Sequence, residues 1–312
     1  MPSTSPALGA ASSRPSDELR TLIPGLNLDV ALEPDRRRGA VRLSAGTQDT
    51  DEAALFGYAP QSFVPRLPWR SPTDEEWETL TRPEKARSAD LAGIDQPGDR
   101  VAVIPVPESV LESFARLREL SRRDGDLKRL RALLDDATGR LAMVEAARFA
   151  LSLAFPDRTD LDAPNAHPKI PPGTPTMTTG RDGLLTGLHI DSWYRRELDD
   201  RASSPNRVSI NLGTQDRHLL FVNLPLREIA ERVAKARGGE WVEDISFQLP
   251  REFARLFPEY PVVKLRVAPG EAYIAPTENV IHDGYAERIG GIDLQFTCRG
   301  YFRAGPPSWT NI

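Results

Sequence analysis

Apolar and polar positions change period about halfway along the chain. Val110, Leu111, Phe114, Leu117 and Leu120 recur at helical spacing, so the stretch 107–123 reads as a helix with one apolar face. The stretch 126–155 repeats in the same sense, with a break expected near Thr138 and Gly139. Pro72-Thr73-Asp74 is a helix-entry signal, and acidic residues fill the first turn of the helix expected over 72–88. Between these helices, 99–107 is a short apolar run of β type stopped by prolines. Residues 1–50 are punctuated by Pro, Gly, Ser and Arg and read as largely irregular, with a short turn or edge strand within 17–30. The expectation for 51–155 is a helical buttress carrying one short strand.

The texture changes at Pro156. Residues 156–175 read as a proline-rich loop, and short β-type runs dominate beyond it. They fall at 176–179, 184–191, 207–213, 218–224, 241–248, 262–268, 272–276, 279–284 and 292–302, with helices over 226–237 and 250–260 between them. Many short strands separated by turns argue for a sandwich or barrel, and 267–276 reads as strand, tight Pro-Gly turn, strand. The last run alternates. Ile292, Leu294, Phe296 and Cys298 share one face, while Asp293, Gln295, Thr297 and Arg299 share the other. The apolar face is expected against the helices and the polar face inside a binding cavity. The fold class that follows is α+β, with 156–312 as a β-barrel core packed on the helices in one integrated domain.

Composition narrows the function classes. A hydrophobic share of 39%, a charged share of 27% and a net charge of −5 suit a globular chain and give no basic footprint for nucleic acid. No apolar run approaches the roughly 20 residues of a membrane helix. Met1–Ser16 lacks the basic start and apolar stretch of a secretory signal and reads as a disordered tail. Cys298 is the sole cysteine, which excludes an internal disulfide and a cysteine-rich zinc site and fits a cytoplasmic location.

Chemistry enters with the four histidines, His167, His189, His218 and His282. His189 and Asp191 form an H-x-D at the end of a β-type run, where residues two apart point to one side. A neutral imidazole and a carboxylate are suitable ligands for a divalent first-row metal. His282 follows the Pro-Gly turn and another β-type run, and a closed β architecture brings such a strand beside the first. Two histidines and one carboxylate on one face of a metal make the facial triad of non-haem Fe(II) oxygenases.

With "GLHIDSW", "APGEAYIAPTENVIHDGY" and "GIDLQFTCRGYF" in place, the region 176–303 resembles the Fe(II)/2-oxoglutarate-dependent dioxygenases. The resemblance implies a double-stranded β-helix (jelly-roll, cupin-like) core, Fe(II) held by His189, Asp191 and His282, and 2-oxoglutarate and O2 as co-substrates. It also implies an arginine on the last strand for the far carboxylate of 2-oxoglutarate. Arg299 is the candidate, although it falls later after His282 than is usual, and Asp293 stands nearer the usual place. Arg207, Asn211 and Thr297 join Arg299 as candidate co-substrate contacts, and Arg217 and Arg288 are further cations near enough to consider. Asp191 fills the position that related halogenases leave empty, which disfavours halogenation. Asp283 is expected to orient His282, and Cys298 is expected to be buried and inert. The expected reaction hydroxylates, desaturates or cyclises an aliphatic carbon of a small polar substrate such as an amino acid. The rival readings are an Fe(II) oxidase of the same fold that uses no 2-oxoglutarate, and a non-catalytic cupin-like binding module.

Overall fold

A computed structural model describes residues 19–30, 38–81, 98–287 and 290–303. Its strands are β1 (Asn27–Val30), β2 (Val41–Leu43), β3 (Thr47–Asp49), β4 (Phe63–Pro65), β5 (Arg100–Pro105), β6 (Asp162–Lys169), β7 (Asn206–Asn211), β8 (Arg217–Phe221), β9 (Val263–Val267), β10 (Glu271–Ala275), β11 (His282–Tyr285) and β12 (Asp293–Gly300). Its helices are α1 (Asp74–Thr81), α2 (Glu108–Ser113), α3 (Ala115–Leu120), α4 (Leu127–Leu134), α5 (Ala137–Ser152), α6 (Leu226–Ala236) and α7 (Gln248–Leu256).

The strands form a six-stranded sheet in the order β1-β5-β10-β7-β12-β6, a four-stranded sheet β11-β8-β9-β2, and the pair β3-β4. β1 runs parallel to β5, and every other pairing is antiparallel. The fold is therefore mixed α+β, and its described strands lie in separate sheets without a closed barrel.

The alternation of β12 decides the layering. Leu294, Phe296 and Cys298 join Ile104, Ile210 and Ile274 of the large sheet in one core with Phe114, Leu117, Leu130, Ala146 and Phe149 of the α2–α5 region. The helices of the α2–α5 region thus share one core with the large sheet. A second core ties Leu219, Phe221, Val263 and Leu265 of the small sheet to Ile229 and Val233 of α6, to Phe253 of α7 and to Val101 and Val103 of β5. The polar face of β12 is left between the two sheets.

Several elements differ from the sequence expectation for local reasons. The apolar stretch 107–123 breaks at the buried Phe114, and 126–155 breaks at Asp135–Asp136, earlier than Thr138–Gly139. The Asp136 side chain accepts from the Gly139 N–H (2.9 Å) and so starts a new helix. A Cβ at Gly139 would stand 2.3 Å from the Leu133 carbonyl oxygen, so only glycine allows the two helices this approach.

Residues 156–175 are not all loop, because β6 lies within them. It is an edge strand, where Pro164 and Pro168 are tolerated. Conversely, 176–179 and 184–191 form only isolated bridges. The stretch 241–248 is a loop in which the Asp244 carboxylate accepts from the Ser246 and Phe247 N–H groups, a local bond that competes with a strand. Within 1–50, β1 is an edge strand inside the stretch 17–30 expected to hold a turn or edge strand, whereas β2 and β3, of three residues each, are too short for periodicity to reveal. Met1–Ser16, 82–88 and Arg288 lie outside the described residues. Among the described residues no helix is long and apolar enough to cross a membrane.

Phe296 is fully buried between sheet and helices. Its replacement by alanine is expected to destabilise the chain by about 3–5 kcal/mol, read as a lower denaturation midpoint at unchanged m-value. A loss well below that would mean that β12 does not face the helices as described.

Candidate metal centre

His189 and His282 meet in an antiparallel bridge that stands outside the longer ladders. The His189 N–H donates to the His282 carbonyl (3.0 Å), and the His282 N–H donates to the His189 carbonyl (2.7 Å). Residues that exchange both bonds project their side chains to one side, and the two imidazole centroids stand 4.8 Å apart. Two residues on, the Asp191 N–H donates to the Thr277 carbonyl (3.0 Å), which keeps its carboxylate on that side. The three donor atoms all lie within 4.8 Å of one another, and Asp191 Oδ2 is 3.9 Å from His282 Nε2. A facial set bonded at about 2.1 Å holds its donors about 3 Å apart, so small side-chain rotations would close this set on an ion.

Neighbouring groups select the ligating nitrogens. His189 Nδ1 faces the Gly187 carbonyl (2.8 Å) and Asp283 Oδ2 (3.5 Å), and His282 Nδ1 faces the Val280 carbonyl (3.2 Å). Each ring then carries its proton on Nδ1 and keeps the Nε2 lone pair for a cation. Asp283 therefore orients His189, not His282 as its sequence position suggested. Its Oδ1 is fixed by the Met177 N–H (3.2 Å), the Thr178 N–H (3.0 Å) and the Thr178 hydroxyl (2.8 Å).

The charges are placed to keep the carboxylate ionised. Burial alone would raise Asp191, but the Arg207 guanidinium and the two imidazoles hold its carboxyl well below the usual range. Burial pushes His282 down to about 4, so its ring is neutral at neutral pH. Burial also opposes a charge on His189, yet the Asp283 and Asp191 carboxylates hold it above its ordinary value. Two imidazole lone pairs and one carboxylate fit a divalent first-row cation.

Two buried ion pairs support the centre. Arg207 Nη2 donates to Asp191 Oδ2 (2.6 Å). Arg201 donates to Glu278 Oε2 (3.2 Å), to the Asp191 carbonyl (3.1 Å) and to Ser192 Oγ (3.1 Å), while Glu278 Oε1 accepts from the Trp193 N–H (2.6 Å). The segment after the H-x-D is thus clamped.

Behind His282 lies a cavity of about 120 Å³ lined by Lys169, Arg207, Arg217, Tyr273, Asp293 and Gln295, side chains from both sheets. Arg217 forms an ion pair with Asp293 there, and Lys169 donates to the Met177 carbonyl and to Thr179 Oγ1.

The remaining sequence candidates fall as follows. Arg207 joins the centre through Asp191. Asn211 spends its side chain on the Gln215 and Val267 carbonyls and on the Gly213 N–H, so it holds a turn. Thr297 lies opposite Ser209 on the polar face. Arg299 is buried beneath the Trp193 ring, 4.1 Å from its centroid. His167 sits on β6 at the cavity edge, and Cys298 is buried, its thiol pushed up to about 12 by burial. Lys169, Arg201 and Glu278 went unnoticed in the sequence. Reading β6 as a strand would have put Lys169 and His167 on one side; nothing local marks Arg201 or Glu278.

No protein-family model matches the chain, and no curated protein is significantly similar to it.

Asp283→Asn is expected to weaken Co(II) binding by about 10- to 100-fold, followed through the metal's visible absorption. Unchanged affinity would remove the orienting role of Asp283.

His218 supplies a pH dependence away from the candidate metal ligands. Burial pushes it down to about 3 from its ordinary 6.5, with Lys264 adding to the effect. Between those values the unfolded chain binds the proton and the folded chain does not. Stability from this group is therefore complete above pH 6.5 and declines as the pH falls toward 3. His218→Leu is expected to flatten the denaturation midpoint against pH across that window; an identical slope in both proteins would exclude the effect.

Proposed function

We propose that the chain is a non-haem Fe(II) oxygenase that uses 2-oxoglutarate and O2 to oxidise an aliphatic carbon of a small organic acid. The observation that carries this reading is the bridge that sets the imidazoles of His189 and His282 beside the Asp191 carboxylate.

The strand order supports the double-stranded β-helix that such enzymes use. Along the chain, β6 lies in the large sheet, the bridged segment at His189 adds to the small sheet beside β11, and β7 returns to the large one. β8 and β9 lie in the small sheet, β10 in the large, β11 in the small and β12 in the large. Successive crossings of this kind wind two sheets around one lumen.

Fe(II), when bound, supplies the activation of O2 and of the co-substrate's keto acid. The chain supplies placement. Arg207 keeps Asp191 ionised and aimed, Asp283 keeps the His189 lone pair aimed, and the Arg201–Glu278 pair holds the backbone between Asp191 and Trp193. The far carboxylate of 2-oxoglutarate is best assigned to Lys169 in the cavity behind His282. Its ammonium donates to the Met177 carbonyl and to Thr179 Oγ1, neutral oxygens that a carboxylate can replace. This moves the co-substrate role from Arg299 to Lys169.

One observation favours a second reading. Asp293 neutralises Arg217 within the same cavity, which reduces the attraction for a dianion and suits an Fe(II) oxidase that needs no 2-oxoglutarate.

Anaerobic reconstitution with Fe(II) and 2-oxoglutarate separates the readings. The expected result is a weak visible charge-transfer band, with succinate formed in step with O2 uptake once substrate is added and O2 is admitted. The band should be lost along with iron in His189→Ala. In Lys169→Met iron should remain bound while the affinity for 2-oxoglutarate drops about tenfold or more. Iron binding without the band points to the co-substrate-free oxidase, and absence of iron binding leaves only a binding module.

A further inference from the structure

Arg299 is a buried cation without an anion. Its residue is 8% exposed, and its Nε is buried with no hydrogen-bond partner. Among the described residues no carboxylate forms an ion pair with it. Asp162, its Cα partner across β6, has its carboxylate engaged by the Tyr194 hydroxyl (2.8 Å). Arg207, its Cα partner across β7, is itself a guanidinium and is committed to Asp191. The other arginines of the centre each have a carboxylate: Arg201 has Glu278, Arg207 has Asp191 and Arg217 has Asp293. A buried charge left unpaired is costly, and adding a divalent cation beside Asp191 raises that cost.

The guanidinium also lies on the metal side of the sheet. Cys298 points into the helix-facing core, so Arg299 points the opposite way, the way of Arg207, whose side chain reaches Asp191. Trp193, two residues after Asp191, covers it from above at 4.1 Å and is itself 62% exposed. Arg299 is therefore placed at the solvent-facing edge of the centre, whereas Lys169 lines the cavity behind His282.

We infer that Arg299 and Trp193 form the recognition site for the primary substrate's carboxylate, separate from any co-substrate station. One planar guanidinium matches one carboxylate through two parallel hydrogen bonds, with the indole stacked on its face. A phosphate calls for more donors than this single fork offers. The substrate class is thus a free organic acid, and its amide or ester is rejected. The oxygenase reading enters only in making this acid the molecule that is oxidised; the anion site stands on Arg299 itself.

The test is a fluorescence titration of the full-length protein, anaerobically, with and without Fe(II) and 2-oxoglutarate. The probes are acetate and the free L-amino acids, each paired with its carboxamide. Trp193 is expected to report saturable binding of at least one acid, with a signal absent in Trp193→Phe. The matching amide should bind about tenfold or more weakly. Arg299→Gln should lose the acid's binding and Arg299→Lys should keep part of it, while both retain the Fe(II)–2-oxoglutarate band of the parent protein. Equal binding of acids and amides, no response to any acid, or loss of the band in Arg299→Gln would each overturn the assignment. Should the parent protein never give the band, the oxygenase reading fails alone, because the metal-free titration still reports on Arg299.

Discussion

Two backbone hydrogen bonds between His189 and His282 carry the arrangement on which the rest of the centre depends. They belong to no longer ladder, so their support comes from the flanks. On one side His282 continues into the pairing of β11 with β8, where it sits opposite Phe221. On the other, Asp191 is tied to Thr277, and the chain beyond it is gripped by Arg201 and Glu278. A buried backbone bond contributes only about 1 kcal/mol net, but leaving its groups unpaired costs about 1–3 kcal/mol. The bridge is held less by its own strength than by the penalty for opening it, and that penalty fixes where both imidazoles stand.

The same logic governs the charges. Arg201–Glu278, Arg207–Asp191 and Arg217–Asp293 are ion pairs removed from water. Such pairs add little stability, because desolvation offsets their attraction, but breaking one strands a charge at a cost of about 3–5 kcal/mol. Each pair therefore acts as a positional lock. The locks sit where placement matters: at the carboxylate of the triad, at the backbone after it and at the inner cavity. Arg299 departs from this pattern: it is buried beneath the exposed Trp193 ring with no carboxylate among the described residues paired to it.

Much of this was legible in the sequence because it rests on short periods. The H-x-D spacing puts two candidate ligands on one side of an extended segment even though that segment forms only a bridge. The alternation in 292–299 announces which face of β12 meets the helices, and the cores agree. What was hidden depends on partners distant in sequence. β6 was masked by prolines that an edge strand tolerates, and Lys169 was hidden with it. Asp283 follows His282 in the chain yet stands 3.5 Å from His189 Nδ1, a contact between segments distant in sequence that no local pattern marks. Arg201 and Glu278 carry no local signal; only their shared burial reveals them.

The register of β12 joins the stability of the fold to the geometry of the centre. Against β7, Phe296 lies opposite Ile210 and Cys298 opposite Val208, while Thr297 lies opposite Ser209 and Arg299 opposite Arg207. Slipping by one residue would send the polar set into the helix-facing core and the apolar set toward His189, Asp191 and His282. Burying those polar groups without partners costs several kcal/mol, so apolar packing on one face enforces the placement of Arg299 on the other. The irregularity of this region falls elsewhere: the pairing with β6 shifts between Thr297 and Arg299, where Ala163 takes a positive φ of 50°. An edge strand can bulge without disturbing its neighbours. Because β6 absorbs the mismatch, β12 keeps step with β7, and the site keeps its shape.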